Sequence, residues 1–388
     1  MKKRKIRNIV LVVLLLVGTN IITFFSVMGI VLGDGGKFTK IAILEKYIKD
    51  NYLYDVSDED FLNGELKGVV AALNDPYSEY YTKDEFKQLM DFTAGNFYGI
   101  GVEITKGEDN LITVITPIKD SPAERAGIKS GDKIIKVEGE EFSGDNLTDA
   151  VKKMKGEEGT KVNITVYSPK TTSTKDLELT REKIQVRSVI SKKLNDIGYV
   201  GIIQFSENTA NEFKEQVENL KNQGIKSLIL DLRGNPGGIV DSAAEICDYI
   251  LPEGEIVYAK NKKGKIVFNF KSDNNSLNMP LVVLINEGSA SASEIVAGAI
   301  QDYKAGTIIG MKSFGKGIVQ TSGKIFDGGI KLTTAEYFTP NGRNIHKKGI
   351  IPDIEIKEPE DIKGIGIDFM DTDTQLKKAI EVLSEAGK

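Results

Sequence analysis

The sequence predicts a multidomain α/β (α+β) protein: one transmembrane helix, a helical arm, a small β-rich module, an α/β core and a closing helical segment. Three observations carry this. Ile9–Leu32 runs 24 residues without a charge. Apolar runs such as Leu228-Ile-Leu230 and Leu281-Val-Val-Leu-Ile285 alternate with amphipathic stretches over the second half, the pattern of strands covered on both faces and joined by helices. Helical spacing of apolar residues gathers near both ends of the chain.

The first seven residues carry five positive charges, Lys2, Lys3, Arg4, Lys5 and Arg7. The uncharged stretch that follows reaches roughly 36 Å as a helix, enough for a hydrocarbon core of about 30 Å. The positive-inside rule keeps residues 1–7 in the cytoplasm, makes 8–33 the anchor and sends the remainder across the cell membrane, single-pass and extracytoplasmic. A cleaved signal peptide is the alternative, but its apolar stretch is shorter and ends at an Ala-x-Ala-like site, which does not follow Leu32. Beyond residue 7 the chain carries 46 basic against 56 acidic residues, a net of −10, which argues against nucleic acid as a partner. Cys247 is the only cysteine, so no intramolecular disulfide or thiolate metal cluster is expected. His346 is the only histidine. No metal and no cofactor is expected.

Residues 37–95 read as a helical docking or dimerisation arm. Ile41, Ile43, Leu44, Tyr47 and Ile48 share one face of a first helix, a second runs near Asp58–Leu73 until Asn74-Asp-Pro-Tyr77, and a third spans about Thr82–Phe92. Residues 96–182 read as a compact module. Ser121-Pro-Ala-Glu124 combines an N-cap, proline at the first helical position and a capping-box glutamate, with Gly127 closing the helix. Strand Lys133–Val137, a helix near Asn146–Lys155 with Leu147, Val151 and Met154 on one face, and alternating Val162, Ile164 and Val166 follow. Residues 183–358 form the α/β core, with strands at Gly198–Phe205, Ser227–Leu232 and Leu281–Ile285 and helices near Asn208–Asn222, Val240–Leu251 and Ala292–Tyr303. In the last segment, 359–388, Leu376, Ala379, Ile380 and Leu383 recur at helical spacing and are expected to close back on the N-terminal arm.

Chemistry gathers at three places. Asn286–Glu294 puts Ser289, Ser291 and Ser293 between a buried strand and a helix N-terminus, where free N–H groups and the dipole favour developing negative charge. Capping is the plain alternative for all three serines. Ser313-Phe-Gly-Lys-Gly-Ile-Val-Gln320 then offers Lys316, the obvious base in a chain with one histidine, and Gln320 four residues on. A hydroxyl needs a proton acceptor before it attacks a carbonyl, and a lysine can serve only if burial lowers its pKa by about three units. Asp231-Leu-Arg-Gly-Asn-Pro-Gly-Gly238, a glycine-rich loop after a buried strand, offers Gly237 and Gly238 as backbone donors to an oxyanion. A phosphate loop is the competing reading, but no Gly-Lys-Ser/Thr follows.

The module around 96–182 resembles a PDZ domain, with Tyr98-Gly99-Ile100-Gly101 in the place of its carboxylate-binding loop. The three chemical motifs, in order and behind such a module, resemble the carboxyl-terminal processing (tail-specific) serine protease family over about residues 37–358. That resemblance implies a crotonase/ClpP-like protease core, and it picks Ser291 as nucleophile, 25 residues before the catalytic lysine, Lys316, with Gln320 as third catalytic residue. It also implies Ala292 and a glycine of Gly237-Gly238 in the oxyanion hole, and dimer arms in some members. His346 stands where a different polar residue is expected. The expected activity is a Ser-Lys endopeptidase acting on protein or peptide substrates with free, apolar C-termini. Alternatives are a PDZ scaffold or sensor with a non-catalytic protease-like domain, and acyl chemistry on a small thioester.

Overall fold

The computed structural model describes residues 2–31, 35–93, 96–185, 187–360, 362 and 364–386. Positions 32 and 33 of the expected anchor and positions 94 and 95 of the expected arm lie outside them. The chain forms two compact units, 1–74 and 75–388.

In the first unit a helix spans Lys2–Val31, and the apolar side chains from Val10 to Val17 are all more than half exposed. Among the described residues no helix is long and apolar enough to cross a membrane, so the anchor over 8–33 rests on the sequence. Helices Gly35–Asn51 and Asp58–Ala71 follow. Ser57 caps the second: its Oγ accepts from the Asp60 N–H at 3.1 Å, and Asp60 reaches back to Ser57.

The expected arm ends sooner than its helical pattern suggests. From Asp75 the chain belongs to the second unit: strand Glu79–Tyr81 pairs antiparallel with Gly328–Phe338, Tyr80 opposite Ile330. Tyr80 and Phe86, from the helix Lys83–Thr93, are both buried, and this is the physical reason: each needs an apolar surface that an isolated arm does not offer.

The module that follows is an antiparallel sheet in the order Val102–Lys106, Ile112–Pro117, Lys133–Val137, Lys161–Ser168, Ser173–Thr180. Ile112 and Val114, and Val162, Ile164 and Val166, bury alternate positions of their strands, while Ile134 and Val137 are buried three apart across a register shift. Ser121 caps the short helix Pro122–Arg125, with proline in its first turn, as the sequence predicts.

The core sheet runs Val189–Leu194, Ile197–Ile202, Ser227–Asp231, Leu281–Ile285, Thr307–Gly310, Ile354–Glu355, parallel after its first antiparallel pair. Successive side chains of a strand face opposite ways, so Leu228 and Leu230 pack with Phe213, Val217, Ile246 and Ile300 on one side. Ile229, Val282, Leu284 and Ile309 face the other, where Leu376, Ala379 and Leu383 of helix Thr374–Ala386 cover them. The closing segment thus seals this face of the sheet, which would otherwise leave four large apolar side chains bare. Cys247 is fully buried in the first layer, and burial pushes its thiol pKa far up, which keeps it inert.

A second sheet, ordered Glu79–Tyr81, Gly328–Phe338, Gly254–Asn261, Ile266–Ser272, carries a hairpin in which Ile318–Ile325 pairs with Gly328–Phe338. The serine turn therefore leaves one sheet, and the lysine loop enters the other.

Candidate active site

The structure separates the three serines. Ser289 Oγ donates to the Leu232 carbonyl at 2.8 Å and accepts from the Asn286 N–H at 3.0 Å. Ser293 Oγ donates to the Asn235 carbonyl at 2.9 Å. Both are fully buried and stitch this turn to the glycine-rich loop. Ser291 alone is half-buried, with φ 53° and ψ −110° at the N-cap of helix Ala292–Tyr303. A non-glycine residue held there costs on the order of 1–3 kcal/mol and persists only when its surroundings over-determine it. They do so here: the Ser291 N–H donates to Glu294 Oε2 at 2.9 Å, and the Ser291 carbonyl accepts from Tyr337 Oη at 3.1 Å.

Glu294 ties the site together. Fully buried, its Oε1 accepts from Ser313 Oγ (2.6 Å) and the Gly315 N–H (2.7 Å), and its Oε2 accepts from the Lys316 N–H (2.8 Å) besides Ser291. Four donors and no acceptor face it, the surroundings of a carboxylate. One side chain therefore fixes the backbones of both Ser291 and Lys316.

The loop 234–238 reaches the same place. The Asn235 side chain holds it, donating to the Ile202 carbonyl and accepting from the Gly237 N–H, both at 2.8 Å. Gly237 thus has its N–H hydrogen-bonded within the loop in this structure. Its contribution is the missing side chain: at φ 100°, a Cβ would stand 2.8 Å from Ser291 Cβ and 2.9 Å from the Ala292 nitrogen. The Gly238 and Ala292 N–H groups donate to no described residue. Gly237→Ala is expected to lower the melting temperature by several degrees and turnover more than tenfold, since overpacking of about 1–3 kcal/mol lands on the serine itself; unchanged turnover would show that this contact does not set its position.

Asp231 and Arg233 belong to a different structure. The Arg233 guanidinium, wholly buried, donates to Asp231 Oδ2 (2.6 Å), to Asp373 Oδ2 (2.7 Å) and Oδ1 (2.9 Å), and to Gln375 Oε1 (3.0 Å). Tyr199 Oη donates to Asp231 Oδ2 at 2.9 Å. The start of the glycine-rich loop is thereby pinned to the closing segment.

Lys316 precedes strand Ile318–Ile325, and the pairing shifts register between Val319 and Gln320. The four-residue spacing to Gln320 does not run along one regular element. Gln320 Nε2 donates to Thr333 Oγ1 at 3.2 Å. Among the described residues no hydrogen bond joins Lys316 Nζ to Ser291 Oγ or to Gln320; Nζ lies 4.7 Å from the centre of the Tyr77 ring. Burial pushes the Lys316 pKa below its ordinary value and the neighbouring Lys331 charge adds to this, while Asp75 and Glu294 oppose it. The flanking glycines admit the loop 345–349: a Cβ on Gly317 would stand 2.5 Å from the His346 nitrogen. His346 makes no side-chain hydrogen bond to Ser291 or Lys316, and its Nδ1 is buried without a described partner.

Tyr98, Gly99, Ile100 and Gly101 line a groove on the small module with Ile104, Ile118, Val151, Met154 and Ile184. The Gly101 carbonyl accepts from Ser121 Oγ and the Ile118 N–H, both at 2.9 Å. The Ile100 and Gly101 N–H groups donate to no described residue, so an apolar trough ends at free backbone donors.

Comparison with known proteins settles the family. Residues 196–356 match peptidase family S41, 113–168 match a PDZ domain, and 30–85 match the N-terminal domain of the activating protease CtpB. A carboxy-terminal-processing protease of Bartonella bacilliformis is 38% identical over 348 residues, covering 88% of this chain and 80% of that protein. The chain belongs to the carboxy-terminal-processing serine protease family. A probable CtpA-like serine protease of Staphylococcus aureus is 39% identical over 363 residues, covering 89% of this chain and 72% of the relative. The solved photosystem II D1 C-terminal processing protease superposes with a TM-score of 0.51 at 30% identity, covering 84% and 89% of the two chains.

This processing protease is thus a serine peptidase with a PDZ domain. Sequence reasoning missed Glu294, although Ser291-Ala-Ser-Glu294 has capping-box spacing. It also missed Tyr337 and Asp373, whose partners lie far away in sequence and leave no local pattern.

Proposed function

We propose that the protein is a membrane-anchored, extracytoplasmic endopeptidase that takes the free, apolar C-terminus of a protein substrate in the PDZ groove and cleaves with Ser291 and Lys316. The observation that carries this is the distinct state of Ser291: strained and half-buried at a helix N-terminus beside two N–H groups without described partners. Ser291 Oγ attacks the peptide carbonyl carbon as its proton passes to Lys316 Nζ. The oxyanion accepts hydrogen bonds from the Gly238 and Ala292 N–H groups. The amine leaves with the proton from Lys316, and water hydrolyses the acyl-enzyme by the reverse proton path. Gln320 orients the amine once Nζ turns toward Ser291.

The uncharged stretch Ile9–Leu32 and the exposed apolar side chains of the first helix support the anchor. Ile43, Leu44, Tyr47, Leu62 and Val69, all more than half exposed, give the arm an apolar surface suited to a homodimer.

The full chain in detergent, given a peptide with a free apolar C-terminus and its amidated twin, is expected to cleave the free form roughly tenfold to a hundredfold better in kcat/KM. A charge-assisted hydrogen-bond set contributes about 1.5–3 kcal/mol. Equal cleavage of the two would overturn recognition of the free carboxylate.

A further inference from the structure

The turn Asp75-Pro-Tyr77-Ser78 marks the end of a helix in the sequence, yet it lies against the lysine. Tyr77 places its ring 4.7 Å from Lys316 Nζ. Ser78 Oγ accepts from the Thr333 N–H at 3.0 Å, and Thr333 Oγ1 accepts from Gln320 Nε2 at 3.2 Å. Asp75 holds the turn closed, accepting from the Tyr77 N–H at 3.1 Å and from Ser78 Oγ at 2.6 Å. Next along the chain, Tyr81 on strand Glu79–Tyr81 sits 5.6 Å from Lys331 Nζ. One strap thus faces two neighbouring lysines with two tyrosine rings and reaches Gln320 through Thr333.

From this juxtaposition we propose that Tyr77 is a positioning residue that parks Lys316 as an ammonium away from Ser291, so that the strap 75–81 sets the resting state of the base. The inference rests on the reading of Lys316 as general base. A ring face attracts an ammonium and has no comparable attraction for a neutral amine. The parked contact therefore opposes the two changes that catalysis requires of Lys316: loss of its proton and movement to Ser291 Oγ.

The groups facing Lys316 are Tyr77 and Asp75 on the strap, Lys331 on strand Gly328–Phe338 and Glu294 on helix Ala292–Tyr303. Tyr77, Asp75 and Glu294 favour the ammonium, while burial and Lys331 favour the neutral amine. Weakening the ring's attraction must lower the lysine pKa. It moves the acid limb of the pH–rate profile to lower pH.

The test measures phosphonylation of Ser291 by a small fluorophosphonate, in which Oγ displaces fluoride from phosphorus, as a function of pH, using the full chain in detergent. Position 77 carries tyrosine, phenylalanine, or phenylalanine with one to three ring fluorines, a series that keeps the ring's shape while draining charge from its face. Tyr77→Phe should leave the acid limb in place, and successive fluorines should move it down by about half a unit or more in total, making phosphonylation below the limb roughly threefold faster. A limb that stays fixed across the fluorinated series, or rises, overturns the proposal. Lys316→Ala in the same assay keeps the two readings apart: full phosphonylation there would sink the base itself, whereas its loss together with an unmoved limb in the fluorinated series would sink only the parking role.

Discussion

Lys316→Ala is expected to lower kcat by about 10⁴-fold while the protein stays folded, because the serine then has no proton acceptor. Lys316→Met should do the same, which assigns the loss to the amine rather than to the packing of its stem. In the parent enzyme the rate should climb with pH through the Lys316 pKa. Burial places that pKa below the usual lysine value, so the climb is met at lower pH than for a solvated lysine. Both substitutions should erase the climb. A steady-state pH profile beside a thermal melt reads all of this, and undiminished cleavage by either variant would remove Lys316 from the mechanism.

Asp373→Ala is expected to destabilise the protein by about 3–5 kcal/mol, because it leaves Arg233 buried with one of its three carboxylate partners, Asp231, Glu358 and Asp373, gone. The melting temperature should fall by roughly ten degrees. Burial works to raise the Asp373 pKa, but the hydrogen bonds and charge of Arg233, with the Gly366 and Leu376 N–H groups, overcome it and hold the carboxyl below the usual range. The sign follows. Asp373 contributes stability above the ordinary aspartate pKa and loses it as pH falls through the lowered value, so Asp373→Asn should melt lower than the parent at pH 7 and converge on it in acid. A mutant that melts with the parent at neutral pH would show that the cluster does not hold the loop.

Much of this architecture was legible because it follows local rules. Leu228–Leu230 and Leu281–Ile285 announce strands by burial on both faces, and Ser121-Pro-Ala-Glu124 announces a cap. Tyr98–Gly101 lines the groove that a carboxylate-binding loop would need. What could not be read depends on contacts distant in sequence. Asp373 lies 140 positions from Arg233, and nothing in either neighbourhood names the other. Helix Thr374–Ala386 shows an apolar face, but only the bare side of the core sheet decides what it covers. The segment 75–81 misled for the same reason: three residues of strand between helices leave no periodic trace, and their pairing partner is 250 residues away.

The division of the site between two sheets has a consequence for control. Ser291 hangs from the strand Leu281–Ile285, and Lys316 with Gln320 rides on the hairpin that Glu79–Tyr81 extends. The Glu294 carboxylate, on the helix that Ser291 caps, is the hydrogen-bonded tie between the two through the Gly315 and Lys316 N–H groups, so any shift of the hairpin against the core sheet is felt first in those bonds.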